Sequence, residues 1–219
     1  MNHYLYAIVD RIPAAWRPPT SGLGDASVVP RRVHDIVVLG SLLESIPPAN
    51  PRTLAVHQEI VATVMDAAAL LPLPYGTAVP SGALVDWLTG HRATIASALE
   101  TVRDRVEMSV KLLRLDRGVA APALQALADA VVERAALPHW KYRAVGASDN
   151  VAVSIAFLVP RAELPAFLAR IAPVASHADG VAVVPTGPWP AYSFVPELER
   201  APPARATPPA RGESDRRAG

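Results

Sequence analysis

The sequence predicts an α+β fold in two domains, on three observations. Residues 4–9 are apolar on both faces, as in a strand buried on both sides. Residues 105–198 space strand-like and helix-like segments in the order βαββαβ, the ferredoxin-like arrangement. Clusters of proline and glycine fall between these segments rather than within them. The expected division is an N-terminal α+β domain at 1–104, a ferredoxin-like domain at 105–198, and a disordered Pro/Arg-rich tail at 199–219.

Composition sets the limits. A chain of 219 residues that is 51% hydrophobic can build a core in each of two domains. Mean hydropathy is +0.22, yet the longest apolar runs are half of the ~20 residues a membrane span needs. No basic-then-apolar leader precedes Tyr4, so no secretory signal is expected. The absence of cysteine removes disulfides, thiolate metal sites and thiol nucleophiles, and fits a cytoplasmic protein. Of the net charge of +1, residues 200–219 carry +3 and leave −2 on the rest. The folded part therefore lacks the basic face that nucleic-acid binding requires.

Tyr4, Tyr6 and Ile8 alternate with Leu5, Ala7 and Val9 in a strand expected at the centre of its sheet. A loop marked by Pro13, Pro18, Pro19, Gly22 and Gly24 leads to a second strand at 33–39. Asn50 and Pro51 read as the N-cap and first position of a helix to about Ala69, with Leu54, Val61, Val64, Met65 and Ala68 on its buried stripe. His57 shares that stripe and reads as a packed, hydrogen-bonded core histidine. Residues 71–77 suit a short edge strand. Ser81 is expected to cap one long helix to about Asp104, with Leu84, Leu88, Ile95, Leu99 and Val102 inward and His91 filling the gap.

In the second half, residues 106–115 alternate Met108, Val110 and Leu112 against Glu107, Ser109 and Lys111, a strand with one buried and one polar face. A helix at 122–137 follows. Strands at 140–146 and 151–159 form a hairpin through Ser148, Asp149 and Asn150. A short helix at 161–171 and a strand at 181–184 complete the module. Both helices cover one face, which receives Val151, Val153, Ile155 and Phe157. The other face would set Ala152, Ser154, Ala156 and Leu158 beside Glu107, Ser109 and Lys111, an open platform for a partner or for the N-terminal domain.

The most specific stretch is Gly187-Pro188-Trp189-Pro190-Ala191-Tyr192-Ser193-Phe194. Its prolines end a strand and turn a corner. Aromatics at such a corner read first as a clasp on their own domain and second as a partner surface.

Several stretches together resemble the GvpF/GvpL family of gas vesicle proteins. Residues 187–194 are close to that family's GPWPPYSF signature, and residues 71–77 to its LPFRFGT segment. The opening 4–9, His57, the strand at 107–111 (EWGVK in the family) and the strand at 150–159 match in order. Pro74 stands where the family usually has Arg, Met108 where it has Trp, and Ala191 where it has Pro. The resemblance implies a gas vesicle accessory protein or minor component that binds the hydrophobic shell protein and other accessory proteins, located in the cytoplasm and at the vesicle. It implies no catalysis and no cofactor.

An enzyme is the weaker expectation. The chain has no HExxH, GxSxG or phosphate-binding glycine loop, and His57 and Glu59 lie on different helix faces. Asp86, Glu100 and Asp104 are too dispersed for a metal site. A small-molecule sensor built on the ferredoxin-like module is the alternative, by analogy of fold.

Overall fold

The computed structural model describes residues 1–116, 118–143, 150–176 and 178–199. The first sheet is built around β1 (Asn2–Val9). On one side β1 pairs antiparallel with β3 (Ile36–Leu43), which carries β2 (Val29–Val33). On the other it pairs with β4 (Leu70–Pro72) and β5 (Ala78–Pro80). Residues 4–9 are fully buried because both sheet faces are covered. Tyr4, Tyr6, Val37 and Leu39 pack with Ile60, Val61 and Val64 of the α1 region, while Leu5, Ile8, Val33 and Val38 meet Leu84, Leu88, Ile95 and Leu99.

Three sequence expectations change here. The run at 33–39 spans the end of β2, a two-residue turn at His34 and Asp35, and the start of β3. His34 takes φ +53° without a glycine or asparagine to signal it. Helix α1 (Pro51–Ala62) ends before Ala69 because the chain must turn to enter β4; Leu54 is exposed, and the buried side is His57, Ile60 and Val61. Its start is as expected, with a capping box in which Thr53 N–H donates to Asn50 Oδ1 and Asn50 N–H to Thr53 Oγ1, both at 3.0 Å. The single helix at 81–104 is two, α2 (Leu84–Gly90) and α3 (Arg92–Val102). His91 sits at the break, its backbone N–H and Nδ1–H both donating to the Trp87 carbonyl, and Ser81 caps nothing: its N–H donates to the Met1 carbonyl.

The second half comprises β6 (Arg105–Arg114), α4 (Ala121–Ala135), β7 (Trp140–Arg143), β8 (Val151–Pro160), α5 (Leu164–Ser176) and β9 (Val181–Trp189). The sheet order β7-β8-β6-β9, all antiparallel, is the ferredoxin-like topology with β6 and β8 central. Met108, Val110, Leu112, Ile155, Phe157 and Val159 meet Leu124, Val131, Phe167 and Ile171 of the two helices. The last strand is longer than expected. It continues through Pro185 and Pro188 to Trp189, which an edge strand tolerates, and its register shifts opposite residues 107–109. The hairpin turn at Ser148 and Asp149 and the tail from 200 onward lie outside the described residues. Among the described residues no helix is long and apolar enough to cross a membrane.

Candidate functional site

The sheet face opposite α4 and α5 is not the open platform expected from the alternation in β6. Glu107 is 1% exposed and Ser109 2%, and Ser154, Ala156 and Leu158 are buried beside them. Beyond Trp189 the chain turns at Pro190 and Ala191 into a 3-10 turn, Tyr192–Phe194, and continues as a strap to Glu199. That strap covers the half of the face nearest Glu107. Ser193 supplies both of its donors to the Glu107 carboxylate, the backbone N–H at 2.7 Å and the hydroxyl at 2.9 Å. Arg143 adds a third partner at 3.6 Å. A carboxylate taken out of water needs such partners, because an unpaired buried charge costs several kcal/mol, of order 3–5. Lys111 stays half-buried further along the strand.

The same strap joins the two halves of the molecule. Ala191 and Phe194 pack with Val102 and Leu158, and Lys141 Nζ stands 5.5 Å from the Phe194 ring centre. Tyr192 packs on the core that holds Tyr4 and Tyr6, whereas Val195 and Leu198 pack on the opposite core. Trp87 Nε1–H donates to the Glu199 carbonyl at 2.7 Å. Arg161 reinforces the junction, its guanidinium donating to the Met65 carbonyl and its N–H to the Asp104 carbonyl, while Asp104 N–H donates to the Ala68 carbonyl.

Within the signature segment the side chains divide. Tyr192 and Phe194 are half-buried, whereas Trp189 is 51% exposed on the free edge of the sheet. Gly187 has φ +131°, and a Cβ there would stand 2.7 Å from Met108 Sδ and 2.9 Å from the Glu107 carbonyl oxygen, so no other residue fits. Pro188 follows a cis peptide bond. Pro190 precedes the turn and its carbonyl accepts from Tyr192 N–H at 2.7 Å.

His57 is buried as the sequence implied. Its Nε2 faces the Leu73 carbonyl at 3.0 Å, which can only accept, so Nε2 carries the proton. Bare Nδ1 then accepts from the Tyr4 hydroxyl at 2.8 Å, and that hydroxyl accepts from Gly76 N–H at 3.2 Å. Burial lowers the His57 pKa, only partly offset by the Leu73 contact. With Tyr6 and Tyr75 packed around it and no carboxylate among its hydrogen-bond partners, His57 is a neutral structural pin between α1 and the segment after β4.

Between the strap and residues 73–78 lies a groove of about 860 Å³ walled by Tyr75, Trp87 and Tyr192, with Glu197 and Glu199 at its rim. The Tyr192 hydroxyl is buried and has no hydrogen-bond partner among the described residues, and burial pushes its pKa up to about 12. Sequence reasoning missed this groove, since Trp87 sits in a helix pattern already satisfied by Leu84 and Leu88.

Comparison with known proteins matches this architecture along its length. The family model described as gas vesicle synthesis protein GvpL/GvpF matches residues 2–123 and 114–196. Gas vesicle protein F2 of Halobacterium salinarum is 26% identical over 198 residues, covering 89% of this chain and 87% of the relative. Crystal structures of the gas vesicle protein GvpF from Anabaena and from Microcystis aeruginosa superpose with TM-scores of 0.75 and 0.72 at 18% and 16% identity. They cover 91% and 90% of this chain, and 98% and 99% of their own lengths, and so share the whole fold. Because the matched segments run from β1 through the Gly187–Phe194 signature, the chain belongs to the GvpL/GvpF family of gas vesicle synthesis proteins.

Proposed function

We propose that this chain is a non-enzymatic accessory factor that binds the hydrophobic shell protein of the gas vesicle, and other accessory proteins, during nucleation and assembly. It rests on family membership. The observation that carries the surface is the exposed Trp189 indole, held on a sheet edge by a segment whose other members are engaged within the fold. In this reading Gly187, Pro188 and Pro190 shape the edge, and Tyr192 and Phe194 fasten it. Glu107 anchors it, with Ser109 and Lys111 on the same strand as its support, and Trp189 meets the partner. Exposed aromatics on rigid backbone lose little entropy on binding and dominate interfaces. Co-expression of the chain with the shell protein, followed by affinity capture, should retain shell protein. Capture of neither shell nor accessory protein, with normal vesicles in cells lacking this chain, sinks the proposal.

A second reading, a small-molecule sensor, draws on the aromatic groove and the unpartnered Tyr192 hydroxyl. A metabolite that raises the thermal midpoint of the parent but not of Tyr192→Phe would favour it.

A further inference from the structure

Sheet edges decide where an extended chain can join a fold, because their unpaired N–H and C=O groups template another strand. The outer strands here differ in protection. In β2 the pairing of Val33 with Ile36 across the turn directs Val29, Arg31 and Val33 toward β3, so Pro30 and Arg32 face outward. Pro30 has no donor to offer. The β9 edge is broken by Pro185 and Pro188, and β4 and β5 are three residues long and end in Pro72 and Pro80. Strand β7 contains no proline, all four of its residues are exposed, and among the described residues it pairs with β8 alone.

The backbone polarity of β7 is fixed. The His139 carbonyl accepts from Leu158 N–H at 3.0 Å, so His139, Lys141 and Arg143 bond inward to β8. Trp140 and Tyr142 turn their N–H and C=O groups away from the sheet. Their side chains are 38% and 46% exposed and meet edge to face at 5.3 Å. The Tyr142 hydroxyl is steadied by Gln125 and Asp129 of α4. Lys141 and Arg143 lie on the other face, beside Phe194 and Glu107.

We propose that β7 is a docking edge for an extended segment of a partner protein that alternates apolar and acidic residues and adds as a fifth strand outside β7. Its apolar side chains would lie beside Trp140 and Tyr142, and its carboxylates beside Lys141 and Arg143. Charge decides against a second copy of this chain, since pairing β7 with β7 would set Lys141 and Arg143 opposite one another, and like charges directly across a ladder destabilise it. The proposal is independent of Trp189 and of the shell protein.

The test uses the full chain and two synthetic peptides, Val-Glu-Val-Glu-Val-Glu-Val and the same peptide with lysine for glutamate, with amide hydrogen exchange read by NMR. The glutamate peptide should slow exchange at Trp140 and Tyr142, and the lysine peptide should bind about tenfold more weakly. Lys141→Glu should narrow or reverse that preference. Tyr142→Pro, which removes an outward N–H while leaving the bonds to β8, should abolish protection at Trp140; if this variant does not fold, Lys141→Glu decides. Equal binding of both peptides, no protection at millimolar peptide, protection on β2 or β9 instead, or a concentration-dependent dimer protecting Trp140 and Tyr142 would each overturn the proposal.

Discussion

Glu107 shows how a single side chain can set the course of a segment far away in sequence. Its carboxylate sits under the strap and takes two hydrogen bonds from Ser193 and an ion pair from Arg143. Glu107→Ala should cost about 3 kcal/mol in thermal or urea unfolding, because it strands the Ser193 N–H and empties the site. Ser193→Ala, which removes one of the two bonds, should cost about 1 kcal/mol. His57 gives a pH signature. Its pKa is lowered in the folded state, so the unfolded chain binds the extra proton first. Its contribution is whole above the ordinary value of 6.5 and is lost as pH falls below it toward the folded value. Urea midpoints should therefore drop between neutral and mildly acidic pH, and His57→Leu should flatten that part of the profile. His57 was legible as a core residue from its place on an apolar stripe. Glu107 was not: a carboxylate alternating with apolar neighbours reads as solvent-facing, and its burial depends on a partner 86 positions away.

At the level of elements, local signals were legible wherever a local rule dictated the structure. Asn50 followed by Pro51 gave the start of α1, and Asn50→Ala should lower stability by about 1 kcal/mol. The βαββαβ order followed from a change of period at each boundary. Elements set by less obvious chemistry were hidden. The turn at His34 and Asp35 joins β2 to β3 without glycine, and β2 itself is mostly exposed and carries two arginines, so it has no apolar alternation to detect. The break between α2 and α3 falls at Gly90 and His91 inside an otherwise continuous apolar pattern. The length of β9 was missed because proline argues against a strand unless the strand is known to lie at an edge. Gly187→Ala tests that last element: with φ +131° and a Cβ 2.7 Å from Met108 Sδ, it should cost about 2 kcal/mol and release the strap.

Across the whole molecule, the C-terminal strap makes one unit of two α+β halves, by crossing the second sheet and lying against both cores of the first. The burial of the first central strand on both faces and the helix-covered face of the second sheet could be read from periodicity, but the strap's path could not, since nothing in a Pro-Trp-Pro-Ala-Tyr run states which surface it will cover. The fold reserves Tyr192 and Phe194 for its own seam and leaves Trp189 outside. Trp189→Ala, made in co-expression with the shell protein, tests the proposed division between fastening and presenting residues most directly. Its unfolding midpoint should lie within a few degrees of the parent, as expected for a change of less than about 1 kcal/mol, with shell-protein capture clearly reduced. Undiminished capture by Trp189→Ala, or a collapse of its stability, would contradict it.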